Sequence, residues 1–178
     1  QKFEEAREIA SSYGIKLKMH RAPREEIQSD KLEEIAMRSV ISACLALKKP
    51  CFVEDAGLFV KALNGFPGPY SSYAFKTIGN KGLLKLMAGE DDRRAEFRSV
   101  VAYCEPNSKP VVFSGNVRGC IALTTHGSGG FGFDPIFIPI GGNGRTFAEM
   151  SIDEKNKFSH RAKAIEKFLK WYIQRKKA

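Results

Sequence analysis

The chain has 178 residues, which suits one domain or two closely joined lobes, and its 43% hydrophobic residues are ample for a core. The net charge of +9 favours anionic partners, among them nucleotides, nucleic acids and anionic lipids. No apolar run approaches the roughly 18 residues of a membrane span, and no signal-peptide pattern is seen. Four cysteines without a C-x-x-C pair predict buried free thiols in the reducing cytoplasm, although a disulfide is compatible with the sequence.

The first part of the chain predicts two amphipathic helices, over about 3–13 and 32–47. Between them, apolar residues alternate with lysines over 15–19, which predicts a half-buried strand. The apolar run 51–53 predicts a buried strand with acidic residues 54–55 at its C-terminal end. Because the chain starts almost within the first helix, we expect a short preceding segment to be missing.

The second part of the chain is expected to begin with two short helical pieces over 72–87, divided near Gly79. The hydrophobic period then changes to that of antiparallel strands. The predicted strands span 96–104, 111–114, 117–123 and 135–138. A capping-box pattern at 151–154 precedes a last helix over about 159–176. This order predicts a mixed α/β fold, with an α/β half and a mostly antiparallel half closed by the C-terminal helix.

The strongest local feature is the adjacent pair Glu54 and Asp55, hereafter the acidic pair. Carboxylates at the end of a buried strand lie where open α/β sheets present ligands. They suit Mg²⁺, which binds carboxylate oxygens and often bridges to phosphates. The alternative is an acidic surface loop shaped by Gly57. Because neighbours alternate along a strand, Glu54 is also compatible with the face opposite Asp55.

A second feature is the segment 127–132, with four glycines in six residues, followed by Asp134. Glycines let backbone N–H groups approach a ligand, so Phe131 is a candidate to stack on a base and Asp134 to accept from a base N–H. The alternative is a flexible hairpin loop with core aromatics.

A third feature combines 154–156 with 159–161. Lys155 suits a phosphate, and the planar fork of Arg161 suits a carbonyl or phosphate. The plainer interpretation is that His160 packs or caps at a helix start and that Ser159 is the N-cap.

Together these segments resemble the inosine triphosphate pyrophosphatase family. The matching segments are, in order, 53–58, 65–72, 130–137, 146–150, 154–156 and 159–161. The resemblance implies a long twisted mixed sheet with flanking helices, two lobes around a nucleotide cleft, and a homodimer. It also implies a single domain over 1–178 that hydrolyses non-canonical purine nucleoside triphosphates (ITP, dITP and XTP) to the monophosphate and pyrophosphate. Family members begin with a strand and a phosphate loop, of which only the end is expected here, with Lys2 in the lysine position.

The resemblance also implies residue roles. Asp55 is the general base and a Mg²⁺ ligand, and Asp30 is a second metal ligand. Asp30 or Ser29 is equally a candidate to cap the following helix, with Glu33 completing a capping box. Arg161, which carries only donors, would favour a 6-oxo purine over adenine. The expected substrate contacts are Lys2, Ala56, Ser72, Phe131, Gly132, Phe133, Asp134, Lys155, His160 and Arg161.

Three other functions compete with this interpretation. A septum-associated nucleotide pyrophosphatase would act on modified or pyrimidine nucleotides, but the triplet 159–161 favours purines. A nucleotide-binding module without turnover would not require a second acid beside the metal ligand. Nucleic-acid binding is suggested only by charge, and no RNP-type, zinc or helix-turn-helix pattern supports it. We therefore expect a nucleotide substrate, with neither nucleic acid nor membrane as a partner.

Overall fold

A computed structural model describes residues 1–177. The two amphipathic helices are confirmed as α1 (Lys2–Ser12) and α2 (Leu32–Leu47). The strand predicted over 15–19 is wrong, because this segment belongs to no strand of the sheet. Its half-buried Ile15 and Leu17 pack instead against the core beside α1. The alternation therefore reflects burial of one side of an extended segment, without a partner strand.

The sheet has five strands in the order β2-β1-β3-β4-β5. The pairs β1–β2 and β4–β5 are antiparallel. The strands are β1 (Cys51–Val60), β2 (Pro67–Gly68), β3 (Arg94–Cys104), β4 (Val111–Ile121) and β5 (Phe137–Pro139). The sheet and its flanking helices confirm the α/β class.

Two strand predictions differ from the structure. The predicted strands over 111–114 and 117–123 are one strand, β4. Gly115 lies between the two predicted strands, and its lack of a side chain permits close packing there. A Cβ there would lie 2.3 Å from the carbonyl oxygen of His160. In the segment 135–138, a 3-10 turn over Asp134–Ile136 replaces the first half of the predicted strand.

The remaining helices follow the sequence signals closely. The two short pieces are α3 (Ser71–Thr77) and α4 (Gly79–Leu86), and Gly79 at their junction has a positive φ of 60°. The predicted capping box opens α5 (Ile152–Asn156), where the Ser151 hydroxyl accepts from the backbone of Glu154. The last helix, α6, spans His160–Lys177.

The chain divides into two compact units. Unit 1 contains Gln1, Gly57–Arg98 and Asn116–Ser159, and unit 2 contains Lys2–Ala56, Ser99–Gly115 and the segment from His160 onward. The single-domain boundary stays a prediction. No helix within residues 1–177 is both long and apolar enough to cross a bilayer.

Each unit has its own aromatic core. In unit 1, the Phe137 ring lies 4.7 Å from the ring of Phe97 and 5.3 Å from that of Phe147. In unit 2, the Phe168 ring of α6 lies 5.1 Å from Phe52 and 5.3 Å from Tyr103. The packed helix α6 thereby holds the ends of β1 and β3 that belong to unit 2.

Candidate active site

The acidic pair lies within β1, because the strand continues to Val60 rather than ending at residue 53. The prediction that the pair follows the strand is therefore wrong. Adjacent residues on a strand point to opposite faces, and the two carboxylates have different surroundings. Glu54 Oε1 accepts from the Ser99 hydroxyl at 2.7 Å and from Arg161 Nε at 3.1 Å. Glu54 Oε2 lies 3.2 Å from Lys2 Nζ.

Glu54 is a buried carboxylate held in its charged form. Burial by itself opposes ionisation, but the charges of Arg161 and Lys2 and the Ser99 hydrogen bond outweigh it and lower the pKa to about 2. His160 adds a smaller effect of the same sign. Glu54 therefore holds the side chains of Arg161 and Lys2 in place. It is unsuited to accept a proton at neutral pH.

This arrangement predicts acid sensitivity. A lowered folded-state pKa contributes stability that is present above the unfolded pKa near 4.5 and is lost as pH falls toward 2. We expect this group to account for a loss of about 3 kcal/mol in unfolding free energy between pH 5 and pH 2. Urea unfolding across this range should show a smaller pH dependence for Glu54→Gln than for the wild type. Equal dependence in both would contradict this role of Glu54.

Asp55 has the opposite electrostatic character. Burial raises its pKa, the nearby charge of Glu54 adds to the rise, and Lys2 and a hydrogen bond from the Ala56 backbone oppose it. The Ala56 N–H donates to Asp55 Oδ1 at 3.0 Å, which leaves Oδ2 for a ligand. A carboxylate with a raised pKa is a stronger base, so Asp55 suits proton abstraction.

Arg161, the second residue of α6, lies between two carboxylates. It contacts Glu54 through Nε and donates through Nη1 to Oε2 of Glu5, on α1. The side chains of Arg161 and Glu5 are each 2% exposed. The sequence predicts a carbonyl or phosphate as the partner of Arg161, and neither Glu5 nor Ser99 is among the predicted site residues. Glu5 lies on the same helical face as the buried Ile9, which was the only local signal for it.

In unit 1, the Gly-rich segment is held by a buried ion pair. Lys155 Nζ lies 2.8 Å from Asp134 Oδ2, and the two side chains are 3% and 4% exposed. The same oxygen accepts from the Phe131 N–H at 2.9 Å. Gly130 has a φ of +68°, and a Cβ there would lie 2.2 Å from Asp134 Oδ2. Only a glycine at this position leaves room for the Asp134 carboxylate. That carboxylate then holds the loop by accepting the Phe131 N–H.

The aromatic residues of this loop have different surroundings. Phe131 is half-buried, with Lys155 Nζ 5.0 Å from its ring centroid. Phe133 is buried and packs edge-on against Phe75 at 5.5 Å, as a core residue does. Asn80, which is not among the predicted site residues, donates from Nδ2 to the Gly132 carbonyl at 3.1 Å and so supports the loop from α4.

Two further predicted site residues, Ser72 and Asp30, are exposed to solvent. Ser72 is exposed, whereas the neighbouring Ser71 is buried and its hydroxyl accepts from the Leu58 N–H at 2.8 Å. Asp30 is exposed and immediately precedes Lys31, the residue at the N-cap of α2.

The alternative in which Asp30 or Ser29 caps α2 is wrong, because the N-cap is Lys31 and no side chain caps the helix. The Ser29 hydroxyl accepts from the N–H of Lys31, the N-cap residue, at 3.1 Å and donates to Glu34 Oε2 at 2.7 Å. Within residues 1–177, no three His, Cys, Asp or Glu side chains converge as a ready-made metal cage.

The structure thus brings the predicted residues together in two groups. The group in unit 2 comprises Lys2, Glu54, Asp55, His160 and Arg161, with Glu5 and Ser99 added by the structure. The group in unit 1 comprises Phe131, Gly132, Asp134 and Lys155, with Asn80 added. Paired carboxylates and cations suit phosphate chemistry, and a half-buried ring suits a flat base.

Comparison with known proteins identifies the family of the chain. A sequence model of the Ham1 family matches residues 1–171. The chain belongs to the Ham1 family. The resemblance inferred from the sequence motifs is therefore confirmed.

Several known proteins are similar to most of the chain. A dITP/XTP pyrophosphatase of Methanopyrus kandleri is 54% identical over 171 residues, covering 96% of this chain and 90% of the relative. The Ham1 protein of Staphylococcus aureus has a TM-score of 0.79 at 37% identity, covering 86% of this chain and 81% of that one. A HAM1 protein from Coxiella burnetii has a TM-score of 0.81 at 29% identity, covering 97% and 93%.

Proposed function

We propose that the chain hydrolyses the non-canonical purine nucleoside triphosphates ITP, dITP and XTP to the nucleoside monophosphate and pyrophosphate. The observation that carries the proposal is the acidic pair, in which Glu54 is held ionised and Asp55 has a raised pKa. The Methanopyrus relative, named a dITP/XTP pyrophosphatase, supports the substrate class. The reaction removes such nucleotides from the nucleotide pool.

Asp55 is the proposed general base. Its raised pKa increases its affinity for a proton, and its Oδ2 is the oxygen not engaged by the Ala56 N–H. In this role Asp55 orients a water and accepts its proton as the oxygen attacks the α-phosphorus. Lys2, whose side chain is about half exposed, holds phosphate charge, and Ser72 is a further phosphate contact.

The proposed cofactor is Mg²⁺, held by Asp55 and Asp30. The donor chemistry fits, because Mg²⁺ in nucleotide enzymes is commonly bound by one or two carboxylates and substrate phosphates rather than by a protein cage. When bound, the ion neutralises phosphate charge and stabilises the leaving pyrophosphate. Glu54 is committed to Arg161 and Lys2, so it tunes the site rather than acting as the base.

The proposed base contacts are Phe131 and the side chains fixed around it. Lys155 lies over the Phe131 ring at 5.0 Å, so the opposite ring face is the one expected to stack on a base. Arg161 favours the O6 acceptor of a 6-oxo purine, because a guanidinium carries only donors. The remaining expected contacts are Ala56, Gly132, Phe133, Asp134 and His160.

The decisive experiment is a substrate panel with and without Mg²⁺, measuring pyrophosphate and orthophosphate separately. We expect ITP and XTP to yield the monophosphate and pyrophosphate in a Mg²⁺-dependent reaction. ATP and modified pyrimidine triphosphates serve as comparison substrates. Orthophosphate as the sole primary product would contradict the proposed reaction, and preference for the pyrimidines would favour the septum-associated alternative.

We also propose that the protein is a homodimer. On the loop suggested as a contact, Phe66 and Tyr70 are 41% and 40% exposed, while Pro67 between them is buried. Large apolar side chains held outward by a buried turn suit an interface. Light scattering at micromolar concentration should give twice the chain mass of 19.8 kDa. A mass of one chain would contradict the proposal.

We propose the cytoplasm as the compartment of the protein. All four cysteines, Cys44, Cys51, Cys104 and Cys120, are free thiols, and thiols persist where glutathione and thioredoxin keep them reduced.

A further inference from the structure

The solvent-facing side of the sheet in unit 1 carries a row of charged residues. Along β3, the exposed Arg94 and Arg98 and the half-buried Glu96 alternate with the buried Ala95 and Phe97. Successive residues of a strand point to opposite faces, so the three charged side chains share the outer face. The buried residues between them face the core of unit 1.

The neighbouring strand β4 shows the same alternation. Asn116 and Arg118 are exposed and flank the buried Val117. Asn116 Nδ2 donates to Glu96 Oε1 at 2.7 Å, which joins the polar residues of β3 and β4 on one face. Arg118 is therefore on the same side of the sheet as the charged residues of β3.

A cavity of about 800 Å³ lies on this face. Four cations and one carboxylate line it, and we call it the cationic groove: Lys61, Arg94, Arg98, Arg118 and Glu96. Sites for small molecules commonly measure roughly 300–1,000 Å³. The groove therefore has the size of a ligand site, and all of its charged residues belong to unit 1.

The cations of the groove are only partly balanced by carboxylates. Arg94 and Arg98 each pair with a carboxylate two residues earlier in the chain, at 2.6 Å and 3.3 Å. Among residues 1–177, by contrast, no carboxylate forms an ion pair with Lys61 or Arg118. A concave surface with such an excess of positive charge attracts anions.

The groove also has apolar walls. The ring of Phe59 is half-buried, and Arg98 Cζ lies 4.2 Å from its centroid. Ile140, which also lines the groove, is 72% exposed. An anion held by the cations can therefore carry an organic group that covers Ile140.

We propose that the cationic groove binds a small molecule with a diphosphate group, at a site separate from that of the substrate. A guanidinium donates in pairs to phosphate oxygens, and a lysine ammonium adds a point charge. Two adjacent phosphates carry enough charge to engage both Arg118 and Lys61. Inorganic pyrophosphate and a nucleoside diphosphate share this chemistry. The inference does not rest on the proposed reaction, because no residue of the groove belongs to the predicted active site.

The test measures how ligands protect individual lysines of the full chain from trace acetylation, by mass spectrometry. Without Mg²⁺, inorganic pyrophosphate and ADP should each protect Lys61 in a saturable manner. Lys85, exposed on α4 in unit 1, is the matched lysine and should stay reactive. Stronger protection by ADP would identify a nucleotide as the ligand, and equal protection would assign the groove to the diphosphate group alone. Lys2 reports separately on binding at the acidic pair.

Arg118→Ala should raise the ligand concentration for half-maximal protection of Lys61 roughly tenfold, because an exposed charge-assisted contact is lost. Arg38→Ala removes an exposed arginine of α2 in unit 2 and should leave that concentration unchanged. Added salt should weaken the protection, because it screens exposed charges. Circular dichroism checks the fold. If Arg118→Ala does not fold, the comparison of Lys61 with Lys85 in the wild type decides the outcome.

Three results would overturn the proposal. The first is a lack of selective protection of Lys61 over Lys85 by either probe. The second is protection by a single-stranded oligonucleotide but by neither small anion. The third is a Lys61 that is as unreactive as the buried Lys155 before any ligand is added, which would show that a second copy covers the groove.

Discussion

Replacing Asp55 by Asn should abolish pyrophosphate release from ITP while leaving the protein folded. Removing a general base typically costs about 10²–10⁴-fold in rate, and loss of a metal-ligating carboxylate adds to it. Asn is nearly isosteric with Asp and retains an oxygen that accepts the Ala56 N–H, so the local hydrogen bond of β1 survives. Steady-state kinetics with ITP and Mg²⁺ measure the effect, and circular dichroism checks the fold.

Two companion variants separate the roles of nearby acids. Asp30→Asn should raise the Mg²⁺ concentration needed for half-maximal activity. It should leave the unfolding free energy unchanged, because Asp30 is exposed and does not cap α2. Glu54→Gln should act mainly on stability and on the placement of Arg161, because Glu54 is ionised and engaged by that residue. An Asp55→Asn enzyme that turns over ITP at a near-normal rate would contradict the role of Asp55 as general base and Mg²⁺ ligand.

The pH dependence of turnover gives an independent view of the same group. Burial raises the pKa of Asp55 in the metal-free protein, whereas a bound Mg²⁺ would lower it, so the acidic limb of kcat/KM should move to lower pH as the Mg²⁺ concentration rises. Below that limb Asp55 is protonated and no longer acts as a base. The limb should be absent from the residual activity of Asp55→Asn.

Replacing Arg161 by Ala should have the largest effect on stability. The change leaves the carboxylates of Glu5 and Glu54 without the cation between them, and breaking a buried ion pair in this way costs about 3–5 kcal/mol. That loss is a large part of the roughly 5–15 kcal/mol by which domains are stable. Urea unfolding measures it, and Lys170→Ala, an exposed position on the same helix, is the matched control.

Arg161→Lys is the variant suited to the question of specificity. It keeps the charge between Glu5 and Glu54 but loses the planar fork of the guanidinium. If Arg161 pairs with O6, kcat/KM for ITP should fall roughly ten- to a hundredfold, and that for ATP much less. A role in phosphate binding would lower both equally. An unchanged ratio of the two values would show that Arg161 does not read the base.

Much of this protein was determined by local sequence. The amphipathic helices α1, α2 and α6, the junction at Gly79 and the capping box at Ser151 follow from signals within a few residues of one another. The acidic pair and the ordered motifs were likewise sufficient to identify the family. Such features are local because backbone capping and helical periodicity act over about one turn.

The tertiary structure decided which charges meet. Arg161 is 107 residues from Glu54 and 156 residues from Glu5, and Lys155 is 21 residues from Asp134. No local periodicity links such positions, because their pairing depends on how α1 and α6 pack beside β1 and how the Gly-rich loop folds back. The strand through the acidic pair is a further example. β1 extends to Val60 because its second half pairs with β2 and buries Leu58 and Val60 in the core of unit 1. The sequence could thus name the candidate acids, whereas only the packing around them separates the ionised Glu54 from the basic Asp55.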